Sequence, residues 1–306
     1  MRSLDAKLFD LPLNDPKSSV RVYNPCIGSD GRGGYVLSAR ATTLHKCGST
    51  AAWLWRAITK RKVMSSLVIG QVGPRFYKQA KIAVTELAPV TNILGCPMWF
   101  GFEDPRIVNL GGVVYLLASF RNKDCMYQMC LFVLEGTQVK RQIEIASPSP
   151  KTHEKNWMPF KAVGKRLLAV YQSAPHTIVE IDTVKGGSKI AFQTPNKTAQ
   201  LDGARGSCSP IPVGSQFLAM VHRRGRGAAF HEYTHQFYTF EKKAPYRVTS
   251  TSDSWVFNHT GKMHIEFACG MIVIGKDLVI TYGEDDCYSR AAVLPLTKVM
   301  ASLTPC

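Results

Sequence analysis

The sequence predicts an all-β fold, a five-bladed β-propeller in a single domain. Three observations carry this expectation. One glycine-centred phrase recurs five times, its spacing is that of a four-stranded blade, and strand-like runs instead of long amphipathic helices fill the intervals.

The phrase is a glycine turn, a run of strand-forming residues and a polar terminus. It reads DGRGGYVLSAR at 30–40, NLGGVVYLLASFR at 109–121, AVGKRLLAVYQS at 162–173, PVGSQFLAMVHR at 212–223 and VIGKDLVITYGE at 273–284. From Gly111 to Gly164, Gly214 and Gly275 the steps are 53, 50 and 61 residues. The first interval is longer, which places an insertion around residues 45–75. Blades are expected at roughly 20–100, 101–152, 153–203, 204–254 and 255–300. The runs CMYQMCLFVLEG, HTIVEID, FHEYTHQFYTFE and SRAAVLPL are rich in β-branched and aromatic residues, and each follows a glycine phrase as its next strand. A helix is expected only at residues 50–60.

A second register precedes the phrase. GFEDPR, HEKNWMP, ARGSCSP and HIEFACG each put polar residues into an apolar setting, with Glu103, Glu154, Arg205 and Glu266 spaced by 51, 51 and 61 residues. Equivalent positions of a propeller converge on its central channel, so polar groups distant in sequence are expected in one funnel.

Composition narrows the partners. The 306 residues carry a formal net charge of +16, which calls for an anionic partner. The basic residues are scattered, with local clusters only at Lys60–Lys62 and His222–Arg226, and no nucleic-acid motif accompanies them. A phosphate-bearing small substrate is therefore preferred to nucleic acid. No apolar run approaches the roughly 18 to 20 residues that cross a bilayer, and MRSLDAKLFDLPLNDPK lacks the apolar core of a secretory signal. A cytoplasmic protein without a membrane partner is expected. The nine cysteines show no paired framework, so they are read as reduced thiols, and the sequons at Asn196 and Asn258 as unused. Oligomeric state is not legible.

With these motifs in hand, a family resemblance follows. GFEDPRIV resembles the G-x-E-D-P-R signature of the mannoside phosphorylases of glycoside hydrolase family 130, which are five-bladed propellers. EKNW at 154, ARGS at 204, a strand ending in His222 with Tyr233 eleven residues on, and YGEDD at 282 follow in the same order. The likeness spans residues 20–297. Within this group the chain looks most similar to the cytosolic mannosyltransferase/phosphorylases of trypanosomatid parasites, glycosyltransferase family 108, which make and break β-1,2-linked mannose oligosaccharides.

The resemblance implies an inverting β-1,2-mannosyltransferase or β-mannoside phosphorylase. Inverting hydrolysis needs an acid and a base that activates water. Phosphate arrives already nucleophilic, so a phosphorylase needs the acid alone. By family position that acid is Asp104, relaying its proton through a sugar hydroxyl; in the reverse direction it is the base that activates an acceptor hydroxyl. The donor is then mannose 1-phosphate or GDP-mannose, and the acceptor mannose or a β-1,2-mannooligosaccharide, with inorganic phosphate released or consumed. Arg205, His222, Tyr233, Lys155 and His235 are the implied phosphate or donor contacts. Asn24, Arg40 and Asp286, then Glu103, Asn156 and Glu266, are the implied mannose contacts. Arg106 is expected to fix the EDPR loop, and Trp99, Trp157 and Trp255 are candidates to stack on acceptor sugars. Gln128 stands where the family phosphorylases tend to have arginine, which favours transfer over free phosphate unless Arg121 or Arg223, Arg224 and Arg226 compensate. The alternatives are an inverting hydrolase, using Asp285, Asp286 or Glu266 as base, and a catalytically silent glycan-binding propeller.

No metal and no cofactor are implied. HEYTH at 231–235 matches the H-E-x-x-H zinc pattern, which needs both histidines on one helical face. Here it sits in a run of β character, where His231 and His235 would stand about 13 Å apart at roughly 3.3 Å per residue. The strand instead puts His231, Tyr233 and His235 on one face.

Overall fold

A computed structural model describes residues 2–14, 18, 20–42, 63–73, 76, 88–90, 95–96, 99–149, 153–195, 198–225, 233–257 and 265–306. The helix expected at 50–60, His231, Arg226 and the side chain of Trp99 lie outside the described residues.

The chain is nearly all β and is organised as successive antiparallel meanders. After β1 (Arg2–Ser3) and β2 (Lys7–Asp10), the strands β3 (Arg21–Ser29), β4 (Tyr35–Thr42) and β5 (Val63–Val72) pair in order, with β6 (Ala88–Val90) on β5. Next come β7 (Gly95–Cys96), β8 (Trp99–Leu110), β9 (Val113–Arg121), β10 (Tyr127–Glu135) and β11 (Gln138–Ile145). A parallel pairing of β5 with β8 joins these two meanders into a nine-stranded sheet. The strands β12 (Met158–Val163), β13 (Arg166–Ser173), β14 (His176–Asp182) and β15 (Ser188–Thr194) form a four-stranded sheet. A seven-stranded sheet contains β16 (Arg205–Val213), β17 (Gln216–Arg224), β18 (Tyr233–Glu241), β19 (Val248–Thr251) and β20 (Trp255–Val256). In the last sheet, β21 (Glu266–Ile274), β22 (Asp277–Glu284) and β23 (Tyr288–Pro295) are completed by β2 from the other end of the chain. The helix α1 (Leu296–Ala301) and β24 (Thr304–Pro305) follow, and β24 adds to β19 as β1 adds to β20.

The glycine phrase is the hairpin between the first and second strands of a meander. Gly111, Gly164, Gly214 and Gly275 take φ of 63°, 58°, 53° and 63°, a left-handed turn conformation that a Cβ disfavours. The second strand is buried on both faces, as in β9, β17 and β22. It therefore reads as a continuous apolar run, which made the phrase visible in the sequence.

Five apolar clusters show how the meanders pack. Phe102, Leu116 and Phe132 pack on Val36 and Leu67, joining the first two. Leu117 and Leu131 meet Leu167 and Val179, Phe160 and Ile178 meet Phe217 and Tyr238, and Met220 and Phe237 meet Met271 and Ile280. Val279 and Ala291 of the last sheet then pack on Ile27 and Leu37 of the first.

No helix among the described residues is long and apolar enough to cross a membrane. Cys26, Cys130, Cys208, Cys269 and Cys306 are free, whereas Cys125 and Cys287 are disulfide-bonded. These two bonded cysteines correct the expectation of uniformly reduced thiols.

Candidate active site

Two X-Pro dipeptides shape the site. Asn24-Pro25 in β3 and Asp104-Pro105 in β8 both fall where the strand register shifts, between Tyr23 and Cys26 and between Glu103 and Arg106. Proline has no N–H to give the ladder, so each strand bulges there. Asn24 and Asp104 take φ of 52° and 54°. Left-handed backbone costs a non-glycine residue roughly 1–3 kcal/mol and gathers at functional sites. The bulges turn the two side chains towards each other, and Asn24 Nδ2 donates to Asp104 Oδ1 at 3.0 Å. Asn24 also presses on the last sheet, where a Cβ on Gly283 would collide with its Oδ1. The glycine of YGEDD is explained by that approach.

Around Asp104 the charges alternate. Glu103, 3 % exposed, accepts from Arg40 Nη2 at 3.4 Å and from Lys155 Nζ at 2.8 Å. Arg40 also donates from Nε to Ser65 Oγ at 2.9 Å and lies over the Tyr23 ring. Burial disfavours the Lys155 ammonium, but Glu103 and then Asp104 outweigh it and hold its pKa above the ordinary lysine value. Burial raises the Tyr23 hydroxyl far above the usual phenol range, with Arg40, Asp286, Glu103 and Asp104 all close enough to act on it. Asp285 and Asp286 also have left-handed backbone, with φ of 56° and 49°.

Arg106 lies behind the EDPR turn. Its guanidinium donates to the carbonyls of Asp104, Gly206 and Ser207 and to Asn156 Oδ1. Asn156, just before β12, is itself left-handed with φ of 66°.

Beside these residues opens a polar cavity of about 590 Å³, lined among others by Arg121, Tyr127, Lys155, Asn156, Arg205 and Arg224. Asp104 does not line it; two of its lining residues are tied to the EDPR turn, Lys155 through Glu103 and Asn156 through Arg106. Lys155 Nζ sits 3.6 Å from the centre of the Tyr127 ring, and Arg121 Nη2 donates to the Tyr127 hydroxyl. A larger cavity of about 800 Å³ lies at the opposite ends of the same first strands. Its walls are mainly apolar and include no carboxylate or guanidinium, so it lacks the means for acid catalysis.

The pairing of β16, β17 and β18 sets one wall of the site. Arg205 stands opposite His222, His222 opposite His235, and Arg224 opposite Tyr233. His222 stacks on Tyr233 with ring centres 5.7 Å apart and shares a 2.9 Å hydrogen bond with Ser207 Oγ. Burial first, then His235, Arg106, Arg205 and Arg224, hold its pKa well below the usual histidine range, so the ring is neutral. Burial pushes the Tyr233 hydroxyl up to about 12, which keeps it a proton donor.

Four expectations are corrected. His235 is fully buried against Trp255 and Phe257, and burial brings its pKa down to about 3; it belongs to the core, not to a phosphate contact. Glu266, 2 % exposed, accepts from the Phe257 N–H and is buried with the core instead of standing open to a ligand. Trp157 packs on Tyr171 and donates to Glu154, and Trp255 packs on His235, so neither presents a free face to an acceptor. Glu154 likewise serves Trp157 and Tyr171, whereas Asn156 of EKNW accepts from Arg106 and Lys155 pairs with Glu103. Gln128 is committed to the Ile145 carbonyl, while Arg121 reaches the cavity. Tyr23 and Tyr127 were missed; their only sequence signal was an aromatic next to a polar motif residue.

No family model and no curated protein sequence match the chain. Solved structures do. A β-1,2-mannobiose phosphorylase from Listeria innocua, in complex with β-1,2-mannobiose, superposes with a TM-score of 0.62 at 12 % identity over 96 % of each chain. A mannose phosphorylase from Leishmania mexicana, in complex with phosphate ion, superposes with a TM-score of 0.60 at 11 % identity, covering 100 % of this chain and 92 % of that one. A structure from the GH130 family of mannoside phosphorylases, described as containing glycoside hydrolases that target β-1,2 mannosidic linkages in Candida mannan, gives 0.61 at 13 % identity over 90 % and 85 %. The chain therefore shares the fold of the mannoside phosphorylases that its motifs resemble.

Proposed function

We propose that this protein is an inverting β-1,2-mannosyltransferase/β-mannoside phosphorylase built as one five-bladed propeller. The meanders, the N-terminal β2 completing the last sheet, and the apolar cluster joining that sheet to the first support the closed ring. The observation that carries the chemistry is the pair Asn24–Asp104: one carboxylate, oriented by an amide, beside a basic cavity. The neighbouring folds, solved with mannobiose and with phosphate, supply the substrate class.

In the phosphorolytic direction, phosphate in the cavity attacks the anomeric carbon of a β-mannoside. The glycosidic C–O bond breaks, and the departing oxygen takes a proton that originates on Asp104 and passes through a sugar hydroxyl. Inversion leaves α-mannose 1-phosphate and the shortened sugar. In reverse, Asp104 accepts the acceptor's proton while mannose 1-phosphate, or GDP-mannose, delivers mannose. Arg205, Arg224, Arg121 and Lys155 hold the anion, and His222 and Tyr233 offer neutral hydrogen bonds, a preorganised field for charge on the leaving or attacking phosphate. Asn24, Arg40 and Asp286 hold the mannose. Glu103 acts by fixing Arg40 and Lys155.

The hydrolytic alternative requires a second carboxylate free to activate water. Burial pushes Glu266 up to about 8, and Asp285 is buried and accepts from the Ile265 N–H. Both features disfavour them as that base. Incubation with β-1,2-mannobiose, with and without phosphate, tests the reading. Mannose 1-phosphate formed only with phosphate is expected. Free mannose in both tubes would make the protein a hydrolase, and no turnover in either direction, with mannose 1-phosphate or GDP-mannose also tried, would make it a binding propeller.

A further inference from the structure

Arg106 makes no contact that the proposed reaction uses, yet every donor nitrogen of its guanidinium is engaged. Nε donates to the Ser207 carbonyl at 2.7 Å, Nη1 to the Asp104 carbonyl at 2.8 Å, and Nη2 to Asn156 Oδ1 at 2.9 Å and to the Gly206 carbonyl at 3.1 Å. The side chain is 1 % exposed, and all four acceptors are neutral. A buried cation with no anion bonded to it carries a desolvation cost that its hydrogen bonds must offset.

We propose that Arg106 is a positioning residue. It locks the backbone of Asp104 and, through Asn156 and the Gly206–Ser207 carbonyls, fixes the acid relative to the anion-binding wall that begins at Arg205. The inference rests on the reading of Asp104 as the acid.

Three observations support it. First, Arg106 lies two residues from Asp104 on the far side of the bulge, where the register with β9 is broken, so its Nη1 satisfies a carbonyl that the interrupted ladder leaves out. Second, two left-handed residues, Asp104 and the cavity-lining Asn156, are both bonded by this one guanidinium, one through its backbone and one through its side chain. Third, its acceptors come from three segments that no sheet connects directly: β8, the turn before β12, and the start of β16. Asp104 is thus held from two sides, its carboxylate by Asn24 and its carbonyl by Arg106. The planar fork is the essential property. Lysine keeps the charge, but its single ammonium on a flexible stem does not reproduce three nitrogens in one plane.

The test compares wild type, Arg106→Lys and Arg106→Ala in phosphorolysis of β-1,2-mannobiose, with Tm measured for each. Displacing a reacting group by about an ångström costs on the order of 100-fold in rate. Arg106→Lys should therefore lose about 100-fold in kcat with little change in KM for mannobiose. Guanidinium ion, below denaturing concentration, should restore turnover in Arg106→Ala and leave Arg106→Lys unchanged. A kcat for Arg106→Lys within about twofold of wild type would overturn the proposal, as would failure of both variants to fold, which would assign Arg106 to assembly of the three segments. A crystal structure of Arg106→Lys reports independently of turnover. Asp104 should leave its φ near 54° and Asn156 should be released; an unchanged backbone would refute the inference even if the protein proved inactive on mannosides. Absence of turnover in wild type would instead refute the proposed reaction.

Discussion

Asn24 and Asp104, eighty residues apart, meet through a 3.0 Å hydrogen bond between two side chains that each sit on left-handed backbone beside a proline. Asp104→Asn should keep this contact, because the new amide still offers an oxygen, while removing the proton that catalysis needs. Turnover should fall by about 10²–10⁴-fold with Tm and mannose binding retained. Full activity in this variant would remove Asp104 from the mechanism. Asn24→Ala should leave the acid present but unoriented, with a smaller loss of kcat and about 1 kcal/mol of stability.

Glu103 answers two cations from inside the fold. Glu103→Gln leaves Arg40 and Lys155 buried without their counter-charge. Breaking such a pair typically costs about 3–5 kcal/mol. Urea unfolding should show a loss of that order; a change below about 1 kcal/mol would mean that water already screens the cluster.

Arg205 and Arg224 line the basic cavity, and Arg224 stands opposite Tyr233 in the sheet. Hydrogen bonds to charged groups contribute about 1.5–3 kcal/mol each. Arg205→Ala and Arg224→Ala should each raise KM for phosphate by about 10- to 100-fold while leaving KM for mannobiose near wild type. Equal effects on both substrates would place the phosphate elsewhere.

Burial of Glu266, assisted by Glu284 and Asp285, raises its pKa from 4.5 to about 8. The native state then binds a proton that the unfolded chain has released, so this group's stabilisation is full below pH 4.5 and is lost as pH rises through about 8. Glu266→Gln keeps an acceptor for the Phe257 N–H and removes the titration. Its Tm relative to wild type should rise between pH 5 and pH 9. The depressed histidines His222 and His235 weaken the fold in the opposite direction, as pH falls below 6.5, and cancel in this comparison. Parallel Tm profiles for the two proteins would contradict the shift.

Much of the architecture was legible because it is periodic. The glycine turns and the doubly buried second strands repeat locally, and a local signal survives in one dimension. Tyr233–Glu241 is a strand, and its alternation sets Tyr233 against His222. The same alternation could not say which of Tyr233 and His235 would be fully buried. That depended on Trp255 and Phe257, which arrive from later in the chain and seal His235 in.

The candidate site was legible only where a motif letter makes a local bond. Arg106 to its own turn at Asp104 is such a case. The second register of Glu103, Glu154, Arg205 and Glu266 is sound as spacing and divided as chemistry: Glu103 pairs with Arg40 and Lys155, and Arg205 lines the cavity. Glu154 and Glu266 accept from Trp157 and from the Phe257 N–H, while Asn24 and Asn156 reach Asp104 and Arg106. The sequence by itself determined an all-β chain, the places of its turns, and the segments that carry polar groups at the starts of the first strands, because steric and hydrophobic periodicity act between near neighbours. Only the tertiary structure decided which of those groups touch. Register shifts at Asn24-Pro25 and Asp104-Pro105 rotate the side chains by an amount that sequence does not encode locally, and whether a carboxylate ends up ion-paired, as Glu103 is, or buried and proton-holding, as Glu266 is, depends on side chains delivered by distant strands.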